Sequence, residues 1–417
     1  MTVLAVNGQA TDLSSKQDSR FSNVDALIIK VTKRCNLDCE YCYENITKSG
    51  DVFIATFQEI AEKAFYSSSK NTIEFIFHGG EPTLLPDSWY TEAFQICQTL
   101  EGSTGKKASL SIQTNLTHLT DRKLELFRDN KVSVGASLDG SATLIASMRP
   151  GAERVIKNFL KARENGLRIG VLMTINHSNF DKFKESTEWL FDEMDVKDFK
   201  ANVVYSVGAG SNIPDLKPEQ IFQAHKAITD YMIESRGQGI IEHNLIEQID
   251  WFCRENSHET KSLCGARKCG AGSRVLGITS DGNLLPCGRF KWDDSDYFLG
   301  DLANFSEFEE FERKVDDFHA LNPENWFNCN DCSARKICGF GCQAFISRSN
   351  SRANVECLST KMLYNYFLER ESDIFALHQA LVDKNYLMLD SYDDSRYGDG
   401  AKEPYRDTYE DKYRDGK

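Results

Sequence analysis

Three cysteines on one short stretch, Cys35-Asn-Leu-Asp-Cys39-Glu-Tyr-Cys42, are the first residues whose spacing implies chemistry. Three thiolates on a single loop can ligate three irons of a [4Fe–4S] cube and leave the fourth iron open to another ligand. A structural zinc site normally closes with four ligands, and no fourth Cys or His lies nearby in sequence. Zinc or a chance trio is the alternative. A second set is Cys264, Cys269, Cys287, then Cys329-x2-Cys332-x5-Cys338-x3-Cys342, then Cys357. Eight thiolates suffice for two further cubes, and a pair of structural zinc sites is the alternative there, because C-x2-C also suits zinc. Cys97 and Cys253 are left over. Cys97 falls in a helical pattern and reads as core; Cys253 lies near Cys264 and reads as a possible substitute ligand.

These residues must be held by something. From about Asp25 to Arg236 apolar runs of strand type alternate with amphipathic helical patterns. The strands read as 25–31, 72–77, 110–113, 132–137, 168–175 and 199–205, and the helices as 56–67, 88–100, 120–129, 153–165, 180–193 and 218–235. Six such units in succession predict a parallel sheet covered by helices, barrel-like or doubly wound. In a barrel the chemistry sits at the C-terminal ends of the strands. Cys35–Cys42 follow the first strand, Phe77-His78-Gly79-Gly80-Glu81-Pro82 the second, and Ser137-Leu-Asp139-Gly140 the fourth. From 263 to 358 the alternation stops, and the segment reads as loop-rich and stapled by metal. Residues 360–383 read as one apolar-periodic helix. From Ser391 onward the chain is polar and Tyr-rich, with the composition of a disordered tail.

The strand-following C-x3-C-x2-C resembles the signature of the radical S-adenosylmethionine (SAM) superfamily, and the resemblance covers about 25–236. It implies a [4Fe–4S] cluster on Cys35, Cys39 and Cys42 whose open iron chelates the amine and carboxylate of SAM. Gly79-Gly80-Glu81-Pro82 resembles the family's motif for the SAM amine, with bare glycines permitting close backbone approach and Glu81 able to accept from an ammonium. By the same resemblance Tyr41 packs near adenine, Ser137 contacts the ribose, and Arg149 meets the SAM carboxylate. One departure is Ile145-Ala146, where the family usually has His-Asp before this arginine. The later cysteines resemble the SPASM domain. That resemblance assigns Cys264, Cys269, Cys287 and Cys342 to one auxiliary cluster and Cys329, Cys332, Cys338 and Cys357 to the other, three [4Fe–4S] clusters in all. The expected fold is α/β, a partial (β/α)6 radical SAM barrel followed by a cysteine-rich SPASM domain. The boundaries are 1–24 extension, 25–240 barrel, 241–365 SPASM, 366–390 C-terminal helix and 391–417 tail.

The resemblance points to a maturase that oxidatively crosslinks side chains of a ribosomal precursor peptide, using an external reductant such as a flavodoxin or ferredoxin. A SPASM-type dehydrogenase of a small molecule and an iron–sulfur electron carrier are the alternatives. Sulfatase-type maturases carry an Asp immediately after the cysteine matching Cys287; Gly288 and then Arg289 stand here, which argues against formylglycine formation. About two dozen residues precede the first strand, too few for the leader-binding domain of many peptide maturases. The chain has 417 residues, 13 cysteines and a net charge of −14. That excess of acid speaks against nucleic-acid binding. No run approaches the ~20 apolar residues of a membrane span, and residues 1–21 lack a secretory h-region. The expected location is therefore the cytoplasm, where thiols stay reduced and a disulfide framework is not expected.

Overall fold

The structure, a computed structural model, describes residues 5–6, 9–10, 16–141, 149–254, 264, 269–304, 308–320, 329–348 and 354–387. The Tyr-rich tail and Ile145-Ala146 lie outside the described residues. Six strand–helix units run in the order β1 Ala26–Thr32, α1 Ile54–Ser67, β2 Thr72–Gly79, α2 Asp87–Thr104, β3 Lys107–Thr114, α3 Asp121–Asp129, β4 Ser133–Ser137, α4 Ala152–Glu164, β5 Ile169–Ile175, α5 Phe183–Asp192, β6 Asp198–Val203 and α6 Pro218–Glu234. Each strand pairs in parallel with the next. The spatial order follows the chain order without a reversal, so the sheet curls as a partial barrel and is not doubly wound.

The two faces of the strands differ as their sequences dictate. In β2, Ile73, Phe75 and Phe77 are fully buried, while the intervening Glu74, Ile76 and His78 are half-buried. The apolar set meets the helices. Phe77 packs edge-on against Trp89 and Tyr90, with ring centroids 5.7 and 5.6 Å apart, and such pairs add about 0.5–1.5 kcal/mol beyond the area they bury. The other set lines the opposite, concave face of the sheet.

The sheet continues at both ends. Beyond β6, β7 Ile241–Glu242 pairs in parallel and leads into α7 His243–Cys253. On the far side, β8 Val275–Ile278 pairs in parallel with β1, and β9 Asn283–Leu285 and β10 Gly300–Asp301 follow antiparallel. The result is a ten-stranded sheet. The cysteine-rich region is thus sewn onto the first barrel strand, and Leu276 and Ile278 belong to the same apolar core as Leu27 and Ile29. The rest of that region comprises α8 Phe308–Ala320, α9 Gln343–Arg348, α10 Cys357–Glu369 and α11 Glu371–Asp383. The helix expected over 360–383 is two helices. Arg370 leaves helical geometry at φ −112° and ψ 27°, and its Nε donates to Asp373 at 2.7 Å.

Candidate active site

The Cys35–Cys42 loop leaves β1 at Thr32 and is fixed by the turn after β2. The Gly80 N–H donates to the Thr32 carbonyl at 2.8 Å, and the Glu81 N–H to the Arg34 carbonyl at 2.7 Å. A Cβ on Gly79 or Gly80 would fall far inside contact distance of the Thr32 or Arg34 carbonyl oxygen, and Gly79 sits at φ +130°. The glycines are therefore required first by the cysteine loop lying on them. The three thiols are half-buried. Burial pushes Cys39 up to about 11 and Cys42 up to about 12, and raises Cys35 as well. Thiols so placed become thiolates only against a strong local cation, which iron supplies. Amide donors already face the sulfur of Cys35: Leu37 N at 3.5 Å and Asn115 Nδ2 at 3.8 Å. Among the described residues no three His, Cys, Asp or Glu side chains converge on a single ion. A cube does not ask for that, since each thiolate binds a different iron. The donor set fits an iron–sulfur cube.

The sequence reading gave Glu81 the ammonium of SAM. Its carboxylate is instead closed within the protein: Oε1 accepts from Thr83 N at 2.9 Å, from the Thr83 hydroxyl and from Thr114 Oγ1 at 2.6 Å, and Oε2 accepts from Asn115 N at 2.7 Å. Glu81 is fully buried and braces the end of β3 against the glycine turn. Asn115, so fixed, reaches Cys35 and donates to Asn36 Oδ1 at 3.0 Å.

Tyr41 and Arg149 are brought together on Asp139. The Tyr41 hydroxyl donates to Asp139 Oδ2, Arg149 Nη2 donates to the Tyr41 oxygen at 2.6 Å, and Arg149 Nε donates to Asp139 Oδ2 at 3.2 Å. All three are buried. Asp139 Oδ1 is fixed by Thr174 N at 2.8 Å, and the Arg149 charge bears on Cys39. The triad thus stands beside the cysteine loop at the ends of β4 and β5. Asp139 belongs to the Ser137–Gly140 motif, whose sequence alone does not reveal this bracing role. Ser137 Oγ accepts from Gln113 Nε2 at 2.9 Å on the concave face, and Gln113 was not singled out at all.

The later cysteines fall into two groups in space. Cys269, Cys287 and Cys342 pack on one small core of Ala271, Leu285, Phe290, Phe318 and Ala344. Burial raises the thiol pKa of Cys269, Cys287 and Cys342, and the neighbouring sulfurs, Cys264 among them, add to the rise. In a second group burial raises the thiols of Cys329 and Cys338, with the nearby sulfurs of Cys332 and Cys357 adding to it. Cys97 is buried in α2, and Cys253 stands apart at the end of α7 beside Asp250 and Lys336. The Cys287–Phe290 segment crosses the concave face next to the first loop. Tyr43 Oη donates to the Gly288 carbonyl at 2.9 Å, and buried Lys30 donates to Glu44 and to the Phe290 carbonyl. Gly288 rests on Ile28 so closely that no side chain fits there.

The sequence matches the radical SAM superfamily over residues 29–190. Residues 29–190 are a radical SAM domain. The chain is similar to the cysteine-type anaerobic sulfatase-maturating enzyme of Clostridium perfringens, 25% identical over 376 residues covering 83% of this chain and 96% of the relative. It is also similar to an uncharacterised protein of Archaeoglobus fulgidus, 26% identical over 80% of this chain and 78% of that one. Among solved structures, the radical SAM fold is shared with anSMEcpe with bound AdoMet, at TM-score 0.74 and 20% identity over 88% of this chain and 98% of that one. It is shared as well with Streptococcus suis SuiB bound to precursor peptide SuiA, at TM-score 0.56 and 17% identity over 80% and 75%. The chain is a radical SAM enzyme. No helix among the described residues is long and apolar enough to cross a membrane.

Proposed function

We propose that this radical SAM enzyme oxidatively crosslinks side chains of a ribosomal peptide. The observation that carries the reading is the thiol group of Cys264, Cys269, Cys287 and Cys342, whose Cys287–Phe290 segment reaches across the concave face next to the Cys35–Cys42 loop. Cys35, Cys39 and Cys42 would hold the SAM-binding [4Fe–4S] cluster, and the two later groups would hold two auxiliary ones. SAM bound to the first cluster supplies a 5′-deoxyadenosyl radical able to take a hydrogen atom from an unactivated carbon. Around it, Gly79 and Gly80 offer backbone acceptors to the SAM amine, Tyr41 packs by the adenine, Ser137 meets the ribose, and Arg149 the carboxylate. Glu81 acts by bracing that turn. A crosslink removes two hydrogens: the first leaves as a hydrogen atom to the 5′-deoxyadenosyl radical, and the second must leave as a proton to solvent and an electron, for which the auxiliary clusters that the later thiol groups would hold are suited acceptors. That SuiB was crystallised with a precursor peptide, and that the C. perfringens relative matures sulfatases, supports a polypeptide substrate. An external one-electron donor completes the cycle.

A second reading, formylglycine formation, is favoured by the length of the match to the C. perfringens enzyme. Gly288 stands against it: the position offers no side chain to take a proton, and Ile28 leaves no space for one. The test incubates the reconstituted enzyme anaerobically with SAM, reductant and a precursor peptide encoded beside its gene. The expected result is 5′-deoxyadenosine together with a peptide lighter by two hydrogens and silent to carbonyl reagents. An aldehyde in the product overturns the crosslinking reading.

A further inference from the structure

Two arginines lie over the ring of Phe345, and they are not alike. Arg348 is 5.2 Å from the ring centre and fully occupied: Nε donates to the Ala344 carbonyl, Nη1 to Asp294 and Nη2 to the Arg289 carbonyl, at 2.9, 2.9 and 2.7 Å. Arg289 is 5.5 Å from the same ring, half-buried, and its guanidinium donates no hydrogen bond to any described residue. Stacking on an aromatic face leaves the edges of the fork, with its five donors, free. A half-buried guanidinium that donates to no described residue is costly unless something supplies the missing acceptors.

The surroundings say where that acceptor would sit. Gly288, one residue before, lies on Ile28 and is held by Tyr43, so Arg289 is carried on the segment crossing the concave face. Its charge bears on Tyr43, on His78 of β2 and on the thiols of Cys264, Cys287 and Cys342. Tyr205, just past β6, stacks on Phe345 with centroids 4.1 Å apart and donates to Glu356. The Glu356 carboxylate feels the Arg289 charge but is not ion-paired with it; the Tyr205 hydroxyl holds it instead.

We infer that Arg289 is a substrate anchor that receives a carboxylate, either an acidic side chain or the C-terminal carboxylate of the peptide. The inference rests on the reading that a peptide occupies the concave face. A bidentate carboxylate would satisfy the open edge of the fork and set which substrate residue faces the SAM site.

The experiment measures binding of three probes to the reconstituted full-length protein by ligand-observed NMR: N-acetyl-glutamate methylamide, its neutral isostere N-acetyl-glutamine methylamide, and N-acetyl-alanine, which carries only a terminal carboxylate. At least one carboxylate probe is expected to bind roughly ten- to hundredfold more tightly than the amide. Which one binds separates a side-chain source from a C-terminal one. Arg289→Gln should abolish the preference, and Glu356→Gln, which removes a nearby negative charge, should strengthen it, an effect misfolding cannot give. Equal binding of all three probes, or a preference that survives Arg289→Gln, overturns the anchor. The probes require no turnover. A wild type that shows the preference but forms no 5′-deoxyadenosine from SAM and dithionite would sink the proposed reaction and leave the anchor standing.

Discussion

At the residue scale, spacing reveals ligands and conceals braces. Cys35, Cys39 and Cys42 are legible because all three lie on one loop. The Tyr41–Asp139–Arg149 triad is not, because its bonds join residues 98 and 108 positions apart. Glu81 reads as a ligand contact from its motif and turns out to be enclosed, since only coordinates show where its four donors come from. Glu81→Gln should therefore cost on the order of 3 kcal/mol in chemical denaturation, because a carboxylate that accepts on both oxygens becomes half donor. Arg149→Ala should cost a similar amount by leaving Asp139 buried without its cation. It should also weaken SAM binding by roughly ten- to hundredfold, measured by calorimetry, if the guanidinium meets the SAM carboxylate as proposed. His78 gives a pH test. Burial, with Lys30 and Arg289 adding to it, lowers its pKa to about 3. The unfolded chain takes up that proton near pH 6.5 and the folded one does not, so stability falls as pH drops from about 6.5 toward 3, by up to about 1 kcal/mol per unit. Denaturation of wild type and His78→Phe at pH 7 and pH 5 should show a shallower loss in the variant; equal losses would remove His78 from the account.

At the element scale, the six strand–helix units are legible because each strand alternates and each helix carries an apolar stripe. What the pattern cannot carry is how one element ends against another. The apolar periodicity of 360–383 runs on through Arg370, although the backbone breaks there under side-chain bonds from Arg370 to Asp373 and Tyr366. The glycine turn after β2 is a similar case. Its sequence announces close approach, and the structure shows that the cysteine loop is what approaches. Gly80→Ala should then displace the loop itself. Iron per chain after reconstitution should drop by about four, the content of one cube, while the later thiol groups still load. Full iron loading in that variant would mean that the turn yields more easily than its contacts imply.

At the scale of the whole molecule, the chain returns to its own beginning. Four residues, Val275 to Ile278, pair in parallel with Ala26 to Ile29, and Arg274 Nε donates to Asp25 at the start of β1. So short a strand in a cysteine-rich stretch carries no sequence signal of where it pairs, and the region reads as a separate loop-rich unit. Its attachment has a consequence for folding. Without β8, the edge of β1 loses its ladder partner, and the core formed by Leu27 and Ile29 loses Leu276 and Ile278. An exposed parallel edge of β-branched residues is a template for association. A fragment ending at Arg254 keeps Cys35, Cys39 and Cys42 and all six strand–helix units, so an autonomous barrel would emerge from reconstitution as a monomer with about four irons. The fused sheet leads to the opposite expectation: the fragment should elute as aggregate from size-exclusion chromatography, and its β1 amides should exchange rapidly, whereas those of the intact chain are protected. A monodisperse, iron-loaded fragment would show that β1 tolerates an open edge, and that the later region is joined to the barrel without supporting it.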